Sequence, residues 1–327
     1  MIFSLAITGP TASGKTALSL WLARELGCEI ISCDSMQIYR GMDVGTAKAT
    51  PDERALVPHH LIDILEPGED FSAERYRTLA LAAAEDITSR GRLPMFVGGT
   101  GLYIDTVMRC GADSPESDPE YRAELMRGAD TEQGRIALWE RLNGVDPECA
   151  ATVHYNNVKR VIRALEIFDR TGRTKSELDK ESRARAGDIA VGMITVDFHD
   201  RECLYRRVDT RVDAMLREGL LEEARSLYER GLLRGTAAAA IGYKELLGYI
   251  RGEQELDAAV EELKLATRRY AKRQITWFRH ETDAYRLFAD DESGRLRSTE
   301  ELILEATGAA KRFIQNFNAK GQNYESN

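Results

Sequence analysis

Residues 9–16 read Gly9, Pro10, Thr11, Ala12, Ser13, Gly14, Lys15 and Thr16, the spacing G-x-x-x-x-G-K-[ST] of a loop that cradles phosphate. Such a loop works only as the hinge between a buried strand and the first turn of a helix, and both flanks meet that demand. Residues 2–7 are a short apolar run suited to a buried strand. Residues 16–26 place Ala17, Leu18, Leu20, Leu22 and Leu26 at helical spacing and stop at Gly27. Gly9 and Gly14 let the backbone turn its amides toward an anion, and the helix adds the positive end of its dipole. Lys15 is then placed to reach terminal phosphate oxygens, and the Thr16 hydroxyl to hold Mg²⁺.

Strand and helix patterns continue to alternate downstream. Residues 29–33 read as a second strand that delivers Asp34 at its carboxyl end, where open α/β sheets place their sites. A helix is expected over residues 72–89, with Ser72 as N-cap, Phe71 and Tyr76 as a hydrophobic staple and Gly91 as the stop. Residues 93–97 form another strand entering Gly98-Gly99-Thr100-Gly101. The fold class that follows is α/β, a phosphate-loop type of parallel sheet flanked by helices. Near Asp113 the pattern changes to a polar, helix-starting linker, and no clear strand returns before residues 191–196. We therefore expect a core domain of residues 1–113 and 188–316, a helical insertion of residues 114–187, and a flexible tail of residues 317–327. Within the returning core, helices are expected over residues 201–218, 220–230, 242–251, 255–280 and 298–316.

Composition excludes several classes. With 327 residues and 43% hydrophobic content the chain can build an ordinary globular core. The phosphate loop begins too early to leave room for a signal peptide, and no stretch of about 18 apolar residues could span a bilayer, so a cytoplasmic protein without membrane association is expected. Cys28, Cys33, Cys110, Cys149 and Cys203 are scattered without metal-ligand spacing and read as reduced and mostly buried. A net charge of −9 argues against indiscriminate nucleic-acid binding, but two local runs oppose it. Residues 264–279 carry Lys264, Arg268, Arg269, Lys272, Arg273 and Arg279 with no acidic residue, interleaved with Tyr270, Trp277 and Phe278. Residues 159–175 carry Lys159, Arg160, Arg163, Arg170, Arg173 and Lys175 against Glu166 and Asp169. The plain alternative for either run is a solvated helix face.

A phosphate loop alone does not separate kinases, ATPases and transferases. Six further segments do. They are residues 34–48 (Asp34-Ser35-Met36-Gln37 onward), Pro58-His59-His60-Leu61-Ile62-Asp63, Gly98-Gly99-Thr100-Gly101-Leu102-Tyr103, Lys159-Arg160-Val161-Ile162-Arg163-Ala164-Leu165-Glu166, Ile241-Gly242-Tyr243-Lys244-Glu245 and Thr267-Arg268-Arg269-Tyr270-Ala271-Lys272-Arg273-Gln274. With these, the chain resembles the tRNA dimethylallyltransferase family, in order from residue 9 to about residue 279.

The resemblance implies that the loop Gly9 to Thr16 holds the pyrophosphate of dimethylallyl pyrophosphate, that Mg²⁺ is the cofactor, held by Thr16, and that the acceptor is the N6 amine of the adenosine 3′-adjacent to the anticodon. It implies catalytic roles for Asp34 as general base, for Thr100, and for Lys15 and Arg211 at the leaving group. It implies tRNA contacts from Asp34, Ser35, Met36, Gln37, Thr100, Lys159, Arg160, Val161, Ile162, Arg163, Gly242, Tyr243, Lys244, Arg268, Lys272 and Arg273. The partner is then a tRNA anticodon stem-loop, with no obligate protein partner and a monomeric chain expected. Three assignments stay open on the residues themselves. Thr100 could be a plain turn threonine. Arg207 or Arg211, at i and i+4 on one expected helix, could clamp the pyrophosphate, and either could instead pair with Asp209 or Asp213. His59 and His60 are assigned packing or hydrogen bonding rather than chemistry. Two departures from the family pattern, Ala237 to Ala240 where a glutamine is common and Tyr155 where proline is common, bear on RNA recognition and not on the catalytic positions. A small-molecule kinase would explain the phosphate loop but not the two basic runs, and a tRNA-binding protein without chemistry would bind RNA with no turnover.

Overall fold

The computed structural model describes residues 1–109, 115, 117–185 and 187–325. The chain enters through β1 (Ile2–Thr8) and α1 (Lys15–Leu26), then β2 (Cys28–Ser32), α2 (Pro51–Leu56), β3 (His59–His60), α3 (Ala73–Ser89), β4 (Leu93–Gly98) and α4 (Gly101–Met108). Five helices follow, α5 (Pro119–Gly128), α6 (Glu132–Val145), α7 (Pro147–Thr152), α8 (Val158–Thr171) and α9 (Lys175–Ala184). Then come β5 (Ile189–Asp197), α10 (Arg201–Arg217), α11 (Leu220–Glu229), α12 (Leu247–Ile250), α13 (Leu256–Phe278), β6 (Tyr285–Phe288) and α14 (Thr299–Glu325).

The strands form one parallel sheet in the order β3-β2-β4-β1-β5-β6. β1 lies inside it, with Thr8 level with Gly98 of β4 and Thr195 of β5, so the phosphate loop leaves from the middle of the sheet's carboxyl edge. Side chains alternate across the strands, and both faces are covered, as a parallel sheet requires. Leu5, Ile7, Met95, Ile194 and Val196 pack with α1, α10, α13 and α14 on one side. Ala6, Ile31, Phe96 and Met193 pack with α3 and α4 on the other. A further apolar cluster joins Tyr39 and Met42 to α10, α11 and α13.

Contacts divide the chain into two units, Met1–Met108 with Asp188–Asn327, and Arg109–Gly187. The second has its own core, with Leu142, Cys149, Val161 and Leu165 at its centre. The expected boundary at 113/114 and Cys110 lie outside the described residues. Cys28, Cys33, Cys149 and Cys203 are free and buried.

Ser72 caps α3 as expected, accepting from the Arg75 amide. Four expectations change. The helix over 242–251 shrinks to α12, since Gly242 takes φ 102° and residues 243–246 form turns, with the Leu246 amide on the Tyr243 carbonyl. The last helix runs to Glu325 instead of stopping at 316. Two strands, β3 and β6, form where the sequence pattern predicts none. Each is four residues or fewer and shows no alternation long enough to recognise. α2 also went unread, although Thr50 and Glu53 form a capping box around Pro51.

Candidate active site

The phosphate loop is built almost wholly from its own backbone. Gly9 leaves β1 at φ 137°, and a Cβ there would stand 2.6 Å from the Val196 carbonyl, so only glycine fits. Ala12 sits in the left-handed region at φ 62°, a strain that non-glycine residues hold where the surroundings over-determine them. The Arg207 Nε, reaching over from α10, donates to the Ala12 carbonyl at 2.8 Å, and Gln274 of α13 accepts from the Thr11 amide at 2.8 Å. The same Gln274 donates to the Gly99 carbonyl at 2.9 Å and so ties the phosphate loop to the turn after β4.

Lys15 begins α1 and folds back to donate to the Pro10 carbonyl at 3.0 Å. Burial and then the Arg211 charge lower its ammonium, Asp34 opposes both, and the net is about 8. Arg211 is also pressed down by burial, with Asp34 again opposing. The two arginines therefore separate by task. Arg207 braces the loop, whereas Arg211, one helical turn on, lines the cavity. Asp209 and Asp213 are taken by Arg268 and Lys264 instead. Among the described residues, the buried Ser13 Oγ and Arg211 Nε have no hydrogen-bond partner, and both residues line the same cavity. A buried donor without an acceptor is costly, so this end is made for an anion.

Asp34 follows β2. Its Oδ1 accepts from the Met36 amide at 2.9 Å and the Gln37 amide at 3.4 Å, which turns the chain and leaves Oδ2 for other work. Ser35 donates its amide to Thr100 Oγ1 at 3.1 Å, and Thr100 in turn donates its own amide to the Cys33 carbonyl at 3.1 Å. Thr100 is not in the cavity wall. Its hydroxyl supports the Asp34 turn from behind, and Tyr270 of α13 is bonded to it and to Gln274. Burial, then the Asp34 charge, pushes the Tyr270 phenol upward. Gln37 spans Ser32 Oγ at 3.0 Å and the carbonyls of Thr46 at 3.2 Å and Ala47 at 3.3 Å.

These parts enclose one cavity of about 530 Å³. Thr11 to Thr16 and Arg211 line it together with Asp34, Ser35, Met36, Gln37, Thr46 and Ala47, and the Asp34 charge acts on both Lys15 and Arg211. Val212, Met215 and Leu263 supply an apolar wall. Gly9 and Pro10 shape the loop without lining the cavity.

The cavity's motifs match known proteins along most of the chain. Residues 37–281 fit the family model described as IPP transferase, and residues 3–59 that of isopentenyl transferase. The chain belongs to the IPP transferase family. It is 53% identical over 280 residues to a tRNA dimethylallyltransferase of Geobacillus thermodenitrificans, covering 85% of this chain and 87% of that one. Among solved structures, the full-length tRNA isopentenylpyrophosphate transferase of Bacillus halodurans superposes with a TM-score of 0.71 at 40% identity, covering 100% of this chain and 99% of that one. A eukaryotic dimethylallyltransferase whose structure was determined acting on tRNA superposes at 0.79 with 30% identity, covering 97% of this chain and 80% of that one.

In this IPP transferase the expected RNA-contacting residues divide sharply. In the core unit, Gly242 and Lys244 line the cavity. Tyr243 between them does not, because it is fully buried and donates its hydroxyl to Glu223 at 2.7 Å. Arg268 is not an open cation, since its Nη1 lies 2.7 Å from both oxygens of Asp209. Lys272 and Arg273 are exposed, and Arg273 lies over the Tyr270 ring. In the insertion unit, Lys159 and Arg160 are exposed on α8, whereas Val161 and Ile162 are core. Arg163 is half-buried and pairs with Glu166 while donating to the Pro115 carbonyl. Arg122 also pairs with Glu166, and together these partners overcome its burial to hold the carboxyl near 2. His59 lines the cavity with its Nδ1 bonded to the Val57 carbonyl, and His60 bonds Glu29.

One set of lining residues given no site role from the sequence lies on α13. Leu263, Thr267, Tyr270 and Gln274 recur at spacings of four, three and four, one helical stripe facing the cavity. That stripe is visible in the sequence, interleaved with the cations of the same helix.

Proposed function

We propose that this chain transfers a dimethylallyl group from dimethylallyl pyrophosphate to the N6 amine of the adenosine 3′-adjacent to the anticodon in tRNA, giving N6-isopentenyladenosine and pyrophosphate. The observation that carries this reading is that Lys15 and Asp34 share one cavity and feel each other's charge. An anion site and a carboxylate in one chamber suit a reaction that expels a diphosphate while removing a proton. The named activities of the relatives agree with it.

The chemistry then follows from the residues. The adenine N6 lone pair forms a bond to C1 of the donor as the C1–O bond breaks, and that bonding pair leaves on the pyrophosphate oxygen. Charge grows on the leaving group, where the unpartnered Ser13 Oγ and Arg211 Nε already line the cavity and the Lys15 ammonium would turn from the Pro10 carbonyl to meet it. An exocyclic amine is barely basic until the new bond forms, so its proton leaves late, to Asp34 Oδ2. The Asp34 turn is fixed by Met36, Gln37 and the Thr100–Ser35 bond. The adenine must leave the anticodon-loop stack to enter.

Mg²⁺ fits this site as a partner of the donor. No cluster of three or more acidic, histidine or cysteine side chains that could cage an ion occurs among the described residues. A hard cation would rest on the Thr16 hydroxyl and on the diphosphate's own oxygens, the usual arrangement for Mg²⁺ at phosphate sites. When bound, it would neutralise charge on the leaving group. Among the described residues no helix is long and apolar enough to cross a membrane, and we place the enzyme in the cytoplasm as a monomer. The test is direct. Protein, dimethylallyl pyrophosphate, Mg²⁺ and unmodified tRNA should yield isopentenyladenosine by mass spectrometry, and chelation of Mg²⁺ should suppress it. No product at saturating donor and metal refutes the reading.

A further inference from the structure

The loop that borders the acceptor end of the cavity has an outer side that the reaction does not use. There, Asp43, Val44 and Gly45 present three successive backbone amides. Such a run makes a concavity for an anion, and the protein fills it from within. Glu223 of α11 accepts from the Asp43 and Val44 amides on Oε2, each at 2.9 Å, and from the Gly45 amide on Oε1 at 3.0 Å. The Tyr243 hydroxyl completes the set at 2.7 Å on Oε1. Four donors converge on one carboxylate, about as many as its lone pairs accept. The Tyr243 ring packs so closely that a Cβ on Gly45 would stand 2.6 Å from it, which excludes any larger residue.

The inner side of the same loop faces the site. The Thr46 and Ala47 carbonyls hold the Gln37 side-chain amide, and the Gln37 backbone amide is held by Asp34 Oδ1. Ala47 sits at φ 48°, a left-handed conformation that a non-glycine residue keeps only where its neighbours enforce it. An unbroken series of bonds therefore joins Glu223 to Gln37 and Asp34.

We propose that Glu223 is a positioning residue for the acceptor. Its carboxylate holds residues 43–47, and through them Gln37, in the register from Asp34 that an incoming purine requires. This rests on the prenyl-transfer reading above. Glu223 touches no reacting atom, and none of its four bonds reaches the phosphate loop. Loss of the clamp falls on the acceptor and spares the donor.

Glu223→Gln tests this, because its amide nitrogen must face a donor. Tyr243→Phe removes one of the four donors and leaves the charge in place. Each variant, with wild type alongside, is measured for the rate and KM of tRNA prenylation and for calorimetric binding of inorganic pyrophosphate with Mg²⁺. Circular dichroism checks the fold. Glu223→Gln should lose about 10- to 100-fold in kcat/KM for tRNA, the scale of a small misplacement of a reacting group, with pyrophosphate affinity within about twofold. Tyr243→Phe should show the same split at a few-fold. Wild-type tRNA kinetics in both variants, or tRNA and pyrophosphate parameters falling together, overturn the proposal. A wild-type enzyme that makes no isopentenyladenosine overturns the functional reading instead.

Discussion

The two ends of the cavity are made in opposite ways. The phosphate end comes largely from eight consecutive residues running from one strand into one helix, with Arg211 beside them and Arg207 and Gln274 as braces. The acceptor end is assembled from the turn after β2, the loop before α2, the turn after β4 and the face of α13, joined by bonds between residues as distant as Val44 and Glu223. The first owes its geometry to local backbone chemistry. The second exists only once the whole core unit has folded, so changes remote from it can reach it.

That contrast is sharpest in two substitutions at the reacting ends. Lys15→Ala removes a preorganised cation where charge develops, and kcat/KM for the donor should fall on the order of 10³-fold, with tRNA affinity held near wild type. Asp34→Asn keeps the shape and the turn's acceptor but removes the proton acceptor. Turnover should fall on the order of 10²-fold or more while pyrophosphate and tRNA still bind. Steady-state kinetics with separate binding titrations check both. If Lys15→Ala weakened tRNA as much as donor, or if Asp34→Asn turned over normally, the division of labour would be wrong.

A proton should report on the phosphate end alone. Burial and Arg211 set the Lys15 ammonium at about 8 in the free protein, and a bound diphosphate favours the charged form. Below that value the amine is already protonated and donor binding is indifferent to pH. Above it, binding must draw a proton from solution, so kcat/KM for the donor should fall toward tenfold per pH unit. The Lys15→Ala variant should lack this alkaline limb. A limb that survives in the variant belongs to another group.

How much of this was legible follows from the same contrast. The phosphate loop could be read because its physics is contiguous, and Asp34 because a strand end announces it. Val161, Ile162 and Tyr243 came in with their neighbours by motif, although an amphipathic segment turns its apolar side chains to the core and its cations to solvent. Their apolar character in a run of cations was the available signal. Thr100 was found as a site residue, and the structure shows its hydroxyl accepting from the Ser35 amide beside Asp34. Glu223 carried no signal at all, since its meaning lies in amides some 180 residues away. β3 is legible only as the partner of Ile30 and Ile31, because two residues hold no pattern by themselves.

The smallest expected effect concerns the basic run on α13, where sequence counts charges and the structure shows which are free. Arg268 has Asp209 as its partner and Lys264 has Asp213, so neither has its charge to spare for phosphate. Lys272 and Arg273 are exposed without an acidic partner among the described residues. Each phosphate neutralised contributes about 0.7 to the slope of log K against log salt on single-stranded RNA. The double change Lys272→Ala with Arg273→Ala should therefore lower that slope by about 1 to 1.5 and weaken tRNA several-fold at moderate salt, most of it recovered at low salt. Arg268→Ala should leave the slope unchanged and cost only the modest stability of a partly exposed ion pair, at most about 1 kcal/mol. Filter binding across a salt series, with thermal unfolding for Arg268→Ala, separates the two. A slope that drops equally in both would mean that the Asp209 pair opens when RNA binds, and that charge pairing in the free protein is a poor guide to which cations meet phosphate.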